Sequence, residues 1–294
     1  MNKKTIYALG FFDGVHLGHQ ALLRACRELA AENGCNAGVV TFTSHPDALV
    51  SGAAPLLINT AADRKRLLHR FEIDPVIELP FDDALKKTNW DSFLEQLTAG
   101  GAAGFVCGSD FRFGAKGSGT AEKLASFCES RNMAYSVVPQ QLLDGIRVSS
   151  THIRGLLENG DLAEANRFLG HAHTLSGTVT AGRGLGHTIG IPTANMLLPP
   201  ELIRPKLGVY ACQAWVDDKV YPAVTNIGSR PTVGGHQVRA ESWLLDFAGD
   251  LYGKTLTLSF CDYLRPEQKF QTLEDLVDQI RKDGEKVRKI LGKS

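Results

Sequence analysis

The sequence predicts two domains: a doubly wound α/β domain with a parallel, Rossmann-like sheet, then a small antiparallel β-barrel with a C-terminal helix. Short apolar runs alternate with helical patterns up to about residue 170, and runs with a period of two replace them beyond it. The length of 294 residues also favours two domains, because a single core rarely grows beyond roughly 250 to 300 residues. We place the boundary near residue 171, which gives domains 1–170 and 171–294.

Apolar runs in the first half predict buried strands, because they lack polar alternation and are rich in β-branched or aromatic residues. They span 6–9, 37–42, 75–79, 105–107 and 135–138, with helical patterns between them at 18–31, 63–71, 90–97 and 120–130. This alternation predicts parallel strands joined by right-handed crossovers, so ligands should bind at the carboxyl ends of the strands. Two more predicted helices follow at 149–157 and 161–169, each with capping residues at its start.

The second half has the pattern of an antiparallel sheet. Alternating runs lie at 175–180, 209–216, 220–225, 239–247 and 256–260. Turn signals such as Asp217-Asp218 and Gly249-Asp250 separate them, which is typical of an antiparallel sheet or small barrel. An amphipathic pattern over 273–291 then predicts one closing helix.

Composition argues for small-molecule substrates. Formal net charge is zero and the isoelectric point is about 7.1, so no overall field favours nucleic acid or an anionic membrane. We find no signal peptide and no apolar run of about 18 residues, and we therefore expect a cytoplasmic protein without a membrane partner. The six cysteines are scattered and form no C-x-x-C pair, which argues against a zinc site or a disulfide framework.

The stretch FFDGVHLGHQ, residues 11–20, predicts an anion site between the first strand and the first helix. Free N–H groups and the helix dipole attract phosphate there, and glycines 10, 14 and 18 let the backbone approach an anion closely. His16 and His19 would donate to a phosphoryl group that gains charge in the transition state. A bare H-x-x-H spacing is common in proteins and is by itself weak evidence for a catalytic site. A zinc helix of the H-E-x-x-H type has its histidines at i and i+4, so the spacing here argues against that kind of metal site.

A second polar segment, VSSTHIR at 148–154, opens the helix predicted near residue 149. Its hydroxyl groups, on Ser149, Ser150 and Thr151, can donate to phosphate oxygens, and Arg154 can add a bidentate contact one turn later. The alternative interpretation of these hydroxyl residues is an ordinary helix cap.

Together these segments resemble a known family. The string G-x-F-D-G-x-H-x-G-H is similar to the signature of nucleotidyltransferases. With VSSTHIR, TFTSHP (41–46) and GSDFRFGAKGSG (108–119), it resembles the adenylyltransferase module of bacterial bifunctional riboflavin kinase/FMN adenylyltransferases. The resemblance implies catalytic roles for His16, His19 and Arg154. It implies contacts to ATP from Gly10, Phe12, Asp13, Gly14, Gly18, Ser149, Ser150 and Thr151, and flavin contacts from His45, Asp110, Phe111 and Phe113. Phe111 and Phe113 could instead be core residues.

The second half carries no Walker A motif. In GDLYGKT (249–255) only three residues separate the glycines, and a strand-like run follows where a helix is needed. The segment GRGLGHTIG (182–190) also fails the G-x-G-x-x-G pattern, but it continues into GIPTAN (190–195). This combination is similar to the riboflavin kinase signature, which implies a β-barrel fold. It further implies that Gly182, Gly186 and Gly190 cover the phosphates, and that Thr193 and Asn195 bind Mg²⁺ carried by ATP.

Glu241 stands where the riboflavin kinase family has its catalytic carboxylate, within the alternating run RAESWLLDF. A charged residue on the inward face of a strand is costly without a task. Facing inward, Glu241 would be a natural general base, and facing outward it would be a solvated strand residue. The segments VTNIGSRPT and LRPEQKF also match the family, and we assign Asn226 and Arg265 within them to flavin binding.

The sequence therefore predicts an enzyme that phosphorylates riboflavin to FMN and adenylylates FMN to FAD, with ATP as donor and FMN and FAD as substrate and product rather than redox cofactors. His152, the segment HAH (171–173) and TFTSHP depart from the commoner family residues, which leaves triphosphate and flavin affinity open. The alternatives are a chain in which only the kinase works and a non-catalytic flavin-binding regulator. No motif indicates a nucleic-acid partner, and none decides self-association.

Overall fold

The computed structural model describes residues 4–182, 190–217, 219–232 and 235–292. The chain divides into two compact units. One unit comprises Met1–Leu56 and Arg64–Ser150, and the other comprises Leu57–Asp63 and Thr151–Ser294. This division interleaves the chain, whereas the sequence analysis placed a single boundary near residue 171.

A parallel five-stranded sheet of order β3-β2-β1-β4-β5 forms the first unit. The strands are β1 (Thr5–Leu9), β2 (Asn36–Phe42), β3 (Val76–Leu79), β4 (Ala102–Gly108) and β5 (Ala134–Val138). All five residues of β1 are buried, because Ile6 and Ala8 enter the core on one face of the sheet while Tyr7 and Leu9 enter the core on the other. The doubly wound parallel fold is confirmed, and the loop after β1 lies at the centre of the ligand-binding edge.

Helices connect these strands. They are α1 (Leu17–Glu32), α2 (Asp47–Val50), α3 (Ala61–Arg70), α4 (Asp83–Lys87), α5 (Trp90–Ala99) and α6 (Ala121–Ser130). A 3₁₀ turn at Ala115–Gly117 and a short hairpin of β6 (Leu142–Leu143) and β7 (Ile146–Arg147) complete the unit. The sequence patterns did not predict α2, α4 or the hairpin, because such short elements lack a repeating apolar face.

The second unit contains a closed antiparallel barrel of order β10-β11-β12-β9-β8-β13. Its strands are β8 (His173–Thr180), β9 (Ala194–Leu197), β10 (Gly208–Val216), β11 (Lys219–Thr232), β12 (Gly235–Leu244) and β13 (Thr255–Arg265). Two helices precede the barrel, α7 (Ser150–Asn159) and α8 (Leu162–Leu169), and α9 (Leu273–Leu291) follows it. The predicted barrel and final helix are confirmed. Strand β9 was missed, because PTAN considered alone has the composition of a turn.

Hydrogen bonds explain why α8 belongs with the barrel rather than with the parallel sheet. The Asn166 side chain donates to the Phe260 carbonyl oxygen over 2.9 Å and accepts from the His173 backbone over 2.7 Å. The segment 57–63 is held similarly, since Asn59 Nδ2 donates to the Thr174 carbonyl oxygen over 3.0 Å. Periodicity in a sequence identifies a helix but does not identify its packing partner.

The six cysteines are all free. Within the described residues, no helix is long and apolar enough to cross a membrane. The same part of the chain contains no cluster of three or more His, Cys, Asp or Glu side chains that could hold a metal ion.

Candidate active sites

The first candidate site is the loop between β1 and α1, which has an unusual backbone. Phe12, Gly14 and Val15 have φ angles of 60°, 83° and 40°. Such left-handed conformations cost of order 1–3 kcal/mol each for residues other than glycine and persist only where surrounding contacts impose them. Here the Phe12 and Val15 side chains are fully buried in the core. Their burial therefore stabilises a loop shape that the backbone alone would avoid.

His16 caps the helix that follows this loop. Its Nδ1 atom accepts a hydrogen bond from the backbone N–H of His19 over 3.3 Å. An accepting Nδ1 leaves the ring proton of a neutral imidazole on Nε2, so Nε2 is the donor that His16 can offer to a ligand. The cap therefore favours the tautomer that carries its proton on Nε2.

The two histidine rings stack, and the glycine between them permits it. Ring centroids of His16 and His19 are 3.7 Å apart with an interplanar angle of 15°. A Cβ atom on Gly18 would lie only 3.1 Å from Cε1 of His16. This close approach gives a physical reason for the glycine in the H-x-G-H string.

His19 is kept neutral by its surroundings. Burial lowers its pKa well below the usual value, and the neighbouring His16 and Arg64 lower it further. Its Nδ1 atom is buried without a hydrogen-bond partner among the described residues. A polyphosphate bound here would place negative charge beside the side chains of His16, His19 and Arg64, and this charge would be electrostatically favourable.

The segment VSSTHIR contacts the histidine loop through Ser150. Ser150 Oγ donates to the carbonyl oxygen of Asp13 over 2.9 Å, although the two residues are 137 positions apart. Thr151 and Arg154 follow on α7, which belongs with the second unit. His152 packs edge-on against Phe168 of α8, with ring centroids 4.6 Å apart. This departure from the family pattern therefore has a packing role.

His45 lies beside the same loop. Its ring makes an edge contact with Phe11 at a centroid distance of 4.7 Å, and its Nδ1 atom accepts from the Asp47 backbone over 3.2 Å. Since β2 ends at Phe42, His45 stands at the carboxyl edge of the sheet, as the sequence predicted.

The segment after β4 separates into a charged part and an aromatic part. Asp110 forms an ion pair with Arg147 and accepts from Gln140 over 3.2 Å. Phe111 and Phe113 stack with centroids 5.5 Å apart, and Phe113 is buried in the core beneath α5. The position of Phe113 favours the alternative that it is a core residue, while Phe111 is only partly buried.

Arg64 was not predicted from the sequence. It lies on α3 with 1 % of its side chain exposed, and its Nη2 atom donates to the Phe42 carbonyl oxygen over 2.7 Å. No local signal distinguishes it from the basic residues that follow it in DRKR, because a helix pattern does not show which arginine is buried at a sheet edge.

The second candidate site is a row of polar residues across three barrel strands. Glu241 on β12 pairs with Asn195 on β9 and with Asn226 on β11. Residues directly opposite one another in an antiparallel sheet project from the same face. The barrel therefore brings together residues that are separated by up to 46 positions in the chain.

Glu241 points away from the barrel interior. Its neighbours Ala240 and Ser242 are fully buried, so the residue between them projects from the opposite face. Trp243 shares that outer face and packs against the apolar cluster that includes Val287 of α9. The sequence analysis left both orientations open, and the structure has the outward one, because side chains fill the interior of a closed barrel. Glu241 is instead half-buried on the outer face.

Asn195 has a geometry suited to a hard cation. It is buried, and its Nδ2 atom donates to the Thr193 carbonyl oxygen over 3.4 Å, which leaves Oδ1 as the atom to offer a metal ion. A Cβ atom on Gly182 would lie 2.5 Å from Nδ2 of Asn195, so the glycine lets the backbone cover this side chain closely. Gly190 has a φ angle of 71°, and Gly186 lies outside the described residues.

A cavity of about 450 Å³ adjoins Thr193. Aromatic and aliphatic side chains line it, among them Phe247, Leu251 and Tyr252. Its volume and apolar walls suit an organic ring system.

The remaining predicted flavin residues are engaged in polar contacts. Asn226 donates to Glu267 over 3.3 Å. Arg265 donates through Nε and Nη2 to one carboxylate oxygen of Asp283 on α9, over 2.9 and 2.8 Å. Asp283 is fully buried, so this ion pair ties β13 to the final helix. The sequence analysis did not identify Asp283.

Comparisons with known proteins agree with this architecture. Residues 1–152 match the family model described as FAD synthetase, and residues 169–291 match that of riboflavin kinase. The chain is 32 % identical over 292 residues to the bifunctional riboflavin kinase/FMN adenylyltransferase of Listeria monocytogenes, covering 98 % of this chain and 93 % of that one. With the Haemophilus influenzae protein of the same description it is 36 % identical over 283 residues, covering 94 % and 91 %.

One solved structure matches nearly the whole chain. It is titled a macrolide-efflux protein from Streptococcus pneumoniae, with a TM-score of 0.87 and 31 % identity over 98 % of this chain and 95 % of that one. The similarity extends through both compact units.

Proposed function

Because the chain belongs to the family of bifunctional riboflavin kinase/FMN adenylyltransferases, we propose that each of the two candidate sites performs one of the two reactions. The protein phosphorylates riboflavin with ATP to FMN and adenylylates FMN with ATP to FAD and pyrophosphate. One observation carries the assignment of sites. Each family match contains one polar cluster of its own, the stacked histidine pair in residues 1–152 and the Asn195–Glu241–Asn226 row in residues 169–291.

In adenylyl transfer, an oxygen of the FMN phosphate attacks the α-phosphorus of ATP. A new phosphorus–oxygen bond forms, the bond from the α-phosphorus to the bridging oxygen breaks, and pyrophosphate leaves with the electron pair. Charge therefore accumulates on the departing phosphates. We assign its stabilisation to Nε2–H of His16, the ring N–H of His19, the N-terminus of α1 and Arg154. The buried side chains of Phe12 and Val15 hold this loop in its left-handed conformation, which supports this assignment.

In the kinase reaction, the ribityl 5′-hydroxyl of riboflavin attacks the γ-phosphorus of ATP and ADP leaves. Glu241 would accept the hydroxyl proton as the new phosphorus–oxygen bond forms. Its half-buried place on the outer face lets it meet a substrate, whereas a fully buried carboxylate could not. The adjoining cavity beside Thr193 would hold the nucleoside part of ATP.

ATP-dependent transfer of this kind involves a divalent metal ion, and we propose that it is Mg²⁺. The side-chain oxygens of Thr193 and Asn195 are hard and neutral, which fits Mg²⁺ when phosphate oxygens and water complete its shell. The glycine that covers Asn195 supports this fit, because any larger residue would crowd the amide. Bound there, the ion would neutralise charge on the ATP phosphates.

The flavin contacts and the domain limits stay predictions. We propose that His45, Asp110 and Phe111 approach FMN at the edge of the parallel sheet, and that Asn226 approaches riboflavin beside Glu241. Arg265 and Phe113 have packing partners that argue for structural roles first. The assignment of 1–170 and 171–294 as domains, the cytoplasmic location and the absence of nucleic-acid or membrane partners likewise remain proposals.

A product assay tests this function. Purified protein is incubated with riboflavin, ATP and Mg²⁺, and the flavins are resolved by chromatography over time. We expect FMN to appear first and FAD to follow. Accumulation of FMN without FAD would leave only the kinase, and binding of flavin without any product would favour the regulatory alternative.

A further inference from the structure

Arg64 is a buried cation at the edge where three strands of the parallel sheet end. Its Nη2 atom donates to the carbonyl oxygen of Phe42, the last residue of β2, over 2.7 Å. The same atom lies 3.7 Å from a carboxylate oxygen of Glu78 on β3. Its guanidinium carbon lies 4.4 Å from the ring centroid of Phe11, which follows β1. One side chain thus contacts the carboxyl ends of β1, β2 and β3.

Stability alone does not account for this arginine. Taking a charge out of water costs several kcal/mol, and replacing a buried ion pair by apolar residues is often neutral or stabilising. Burial lowers the pKa of Arg64, while the carboxylates of Asp13 and Glu78 oppose that effect. Its Nε atom has no hydrogen-bond partner among the described residues. A charge that is buried and only partly paired therefore calls for a functional explanation.

Arg64 contacts Phe11, the residue that precedes the histidine loop. The Phe11 ring makes a cation–π contact with the guanidinium and also touches the ring of His45. The Phe11 carbonyl oxygen accepts from Thr41 Oγ1 over 3.0 Å, which fastens this residue to β2. Immediately after Phe11 the chain enters the segment that leads to His16, in which Phe12, Gly14 and Val15 have left-handed conformations.

We propose that Arg64 is a positioning residue for adenylyl transfer, because it holds Phe11 against the end of β2 and so fixes the loop that aims His16 and His19. The inference rests on the function proposed for the first site. Arg64 also contributes positive charge beside His19, as the lowered pKa of that histidine shows. A displacement of about 1 Å in such a site can reduce the rate by about 10²-fold.

Two substitutions separate positioning from folding. Arg64→Met keeps a long apolar stem but loses the charge and the donor to Phe42, and we expect kcat for FAD formation from FMN to fall by about 10- to 100-fold. Arg64→Lys keeps a charge and a donor, so it should recover the larger part of that loss. The kinase reaction of the same protein is the internal control. Lys65→Met, on the exposed neighbour, is the matched control and should leave both reactions unchanged.

The measurements are kcat and KM for each reaction, together with thermal unfolding. We expect a loss in kcat for FAD formation with KM for riboflavin and kcat for FMN formation within about 2-fold of the unmodified protein. The proposal is overturned if folded R64M forms FAD at the normal kcat, or if both reactions fall together with stability and R64K does not separate them.

If R64M does not fold, Phe11→Leu replaces it, because it removes the ring on which the guanidinium rests. A folded F11L variant with a normal kcat for FAD formation would equally overturn the proposal. Failure of the unmodified protein to form any FAD would instead contradict the proposed function of the first site, so the two failures are distinguishable.

Discussion

The two candidate sites are built in opposite ways. The histidine site comes from one short stretch, in which left-handed backbone at Phe12, Gly14 and Val15, a capping imidazole and a glycine place two rings 3.7 Å apart. The proposed kinase site comes from strand register, which places Asn195, Glu241 and Asn226 side by side although they are distant in sequence. The histidine site therefore depends on the conformation of one loop, whereas the row of barrel residues depends on the pairing of three strands. Substitutions should therefore damage the two sites independently.

The largest effect should come from Glu241→Gln. Removing a general base reduces rates by typically 10²- to 10⁴-fold, so FMN formation should fall in that range. FAD formation from supplied FMN should be unchanged, because the histidine loop is elsewhere in the chain. Steady-state assays of both reactions test this, with Glu274→Gln on the exposed start of α9 as control. Equal losses in both reactions would break the distinction between the sites.

The converse variant, His19→Ala, should reduce FAD formation by roughly 10²- to 10³-fold, which is typical for the loss of one donor to transition-state charge. FMN formation should continue at its normal rate. His69→Ala, which alters an exposed histidine on α3, is the control. A normal rate of FAD formation in folded H19A would remove His19 from the mechanism.

A smaller and more local effect should follow Gly182→Ala. The added methyl group would come within 2.5 Å of the Asn195 amide, so either the covering segment or the amide must shift. Misplacement on this scale predicts a loss of up to about 10²-fold in FMN formation, with a raised Mg²⁺ requirement. Gly155→Ala is the matched control, since no atom lies within 4 Å of its Cβ position. A G182A variant with unchanged Mg²⁺ dependence would argue against a metal site at Asn195.

The smallest effect concerns stability. His173 is fully buried, its ring nitrogens have no hydrogen-bond partner in the described part of the chain, and burial lowers its pKa to about 3. The unfolded state, with a pKa near 6.5, therefore binds more protons below that pH. Stability contributed by this site is complete above about pH 6.5 and declines by up to about 1.4 kcal/mol per pH unit as the pH falls towards 3.

His173→Phe should remove that dependence, because a phenyl ring fills the site without titrating. Urea unfolding at pH 7.5 and pH 5 measures it, and the variant should lose about 2 kcal/mol less than the unmodified protein on this change. Identical losses would show that His173 does not titrate as its burial requires. The burial of His173 also gives a packing reason for the last residue of the HAH segment, since this histidine lies against Phe260.

The same contrast explains what could be predicted from the sequence. The histidine site could be predicted because its residues are contiguous and its strand and helix have strong periodic patterns. The outward orientation of Glu241 could not, because it depends on which face of β12 turns towards the barrel interior. Strand β9, the Arg265–Asp283 ion pair and the burial of Arg64 were missed for a related reason, since each depends on a partner remote in the chain.

Mixing two variants tests the independence of the sites most directly. H19A and E241Q are each supplied with riboflavin, ATP and Mg²⁺, alone and as an equimolar mixture, and FAD is measured. Alone, H19A should stop at FMN and E241Q should leave riboflavin unchanged. Together they should form FAD, because FMN released by one variant is adenylylated by the other. Loss of both half-reactions in either folded variant, so that the mixture forms no FAD, would contradict two separate sites.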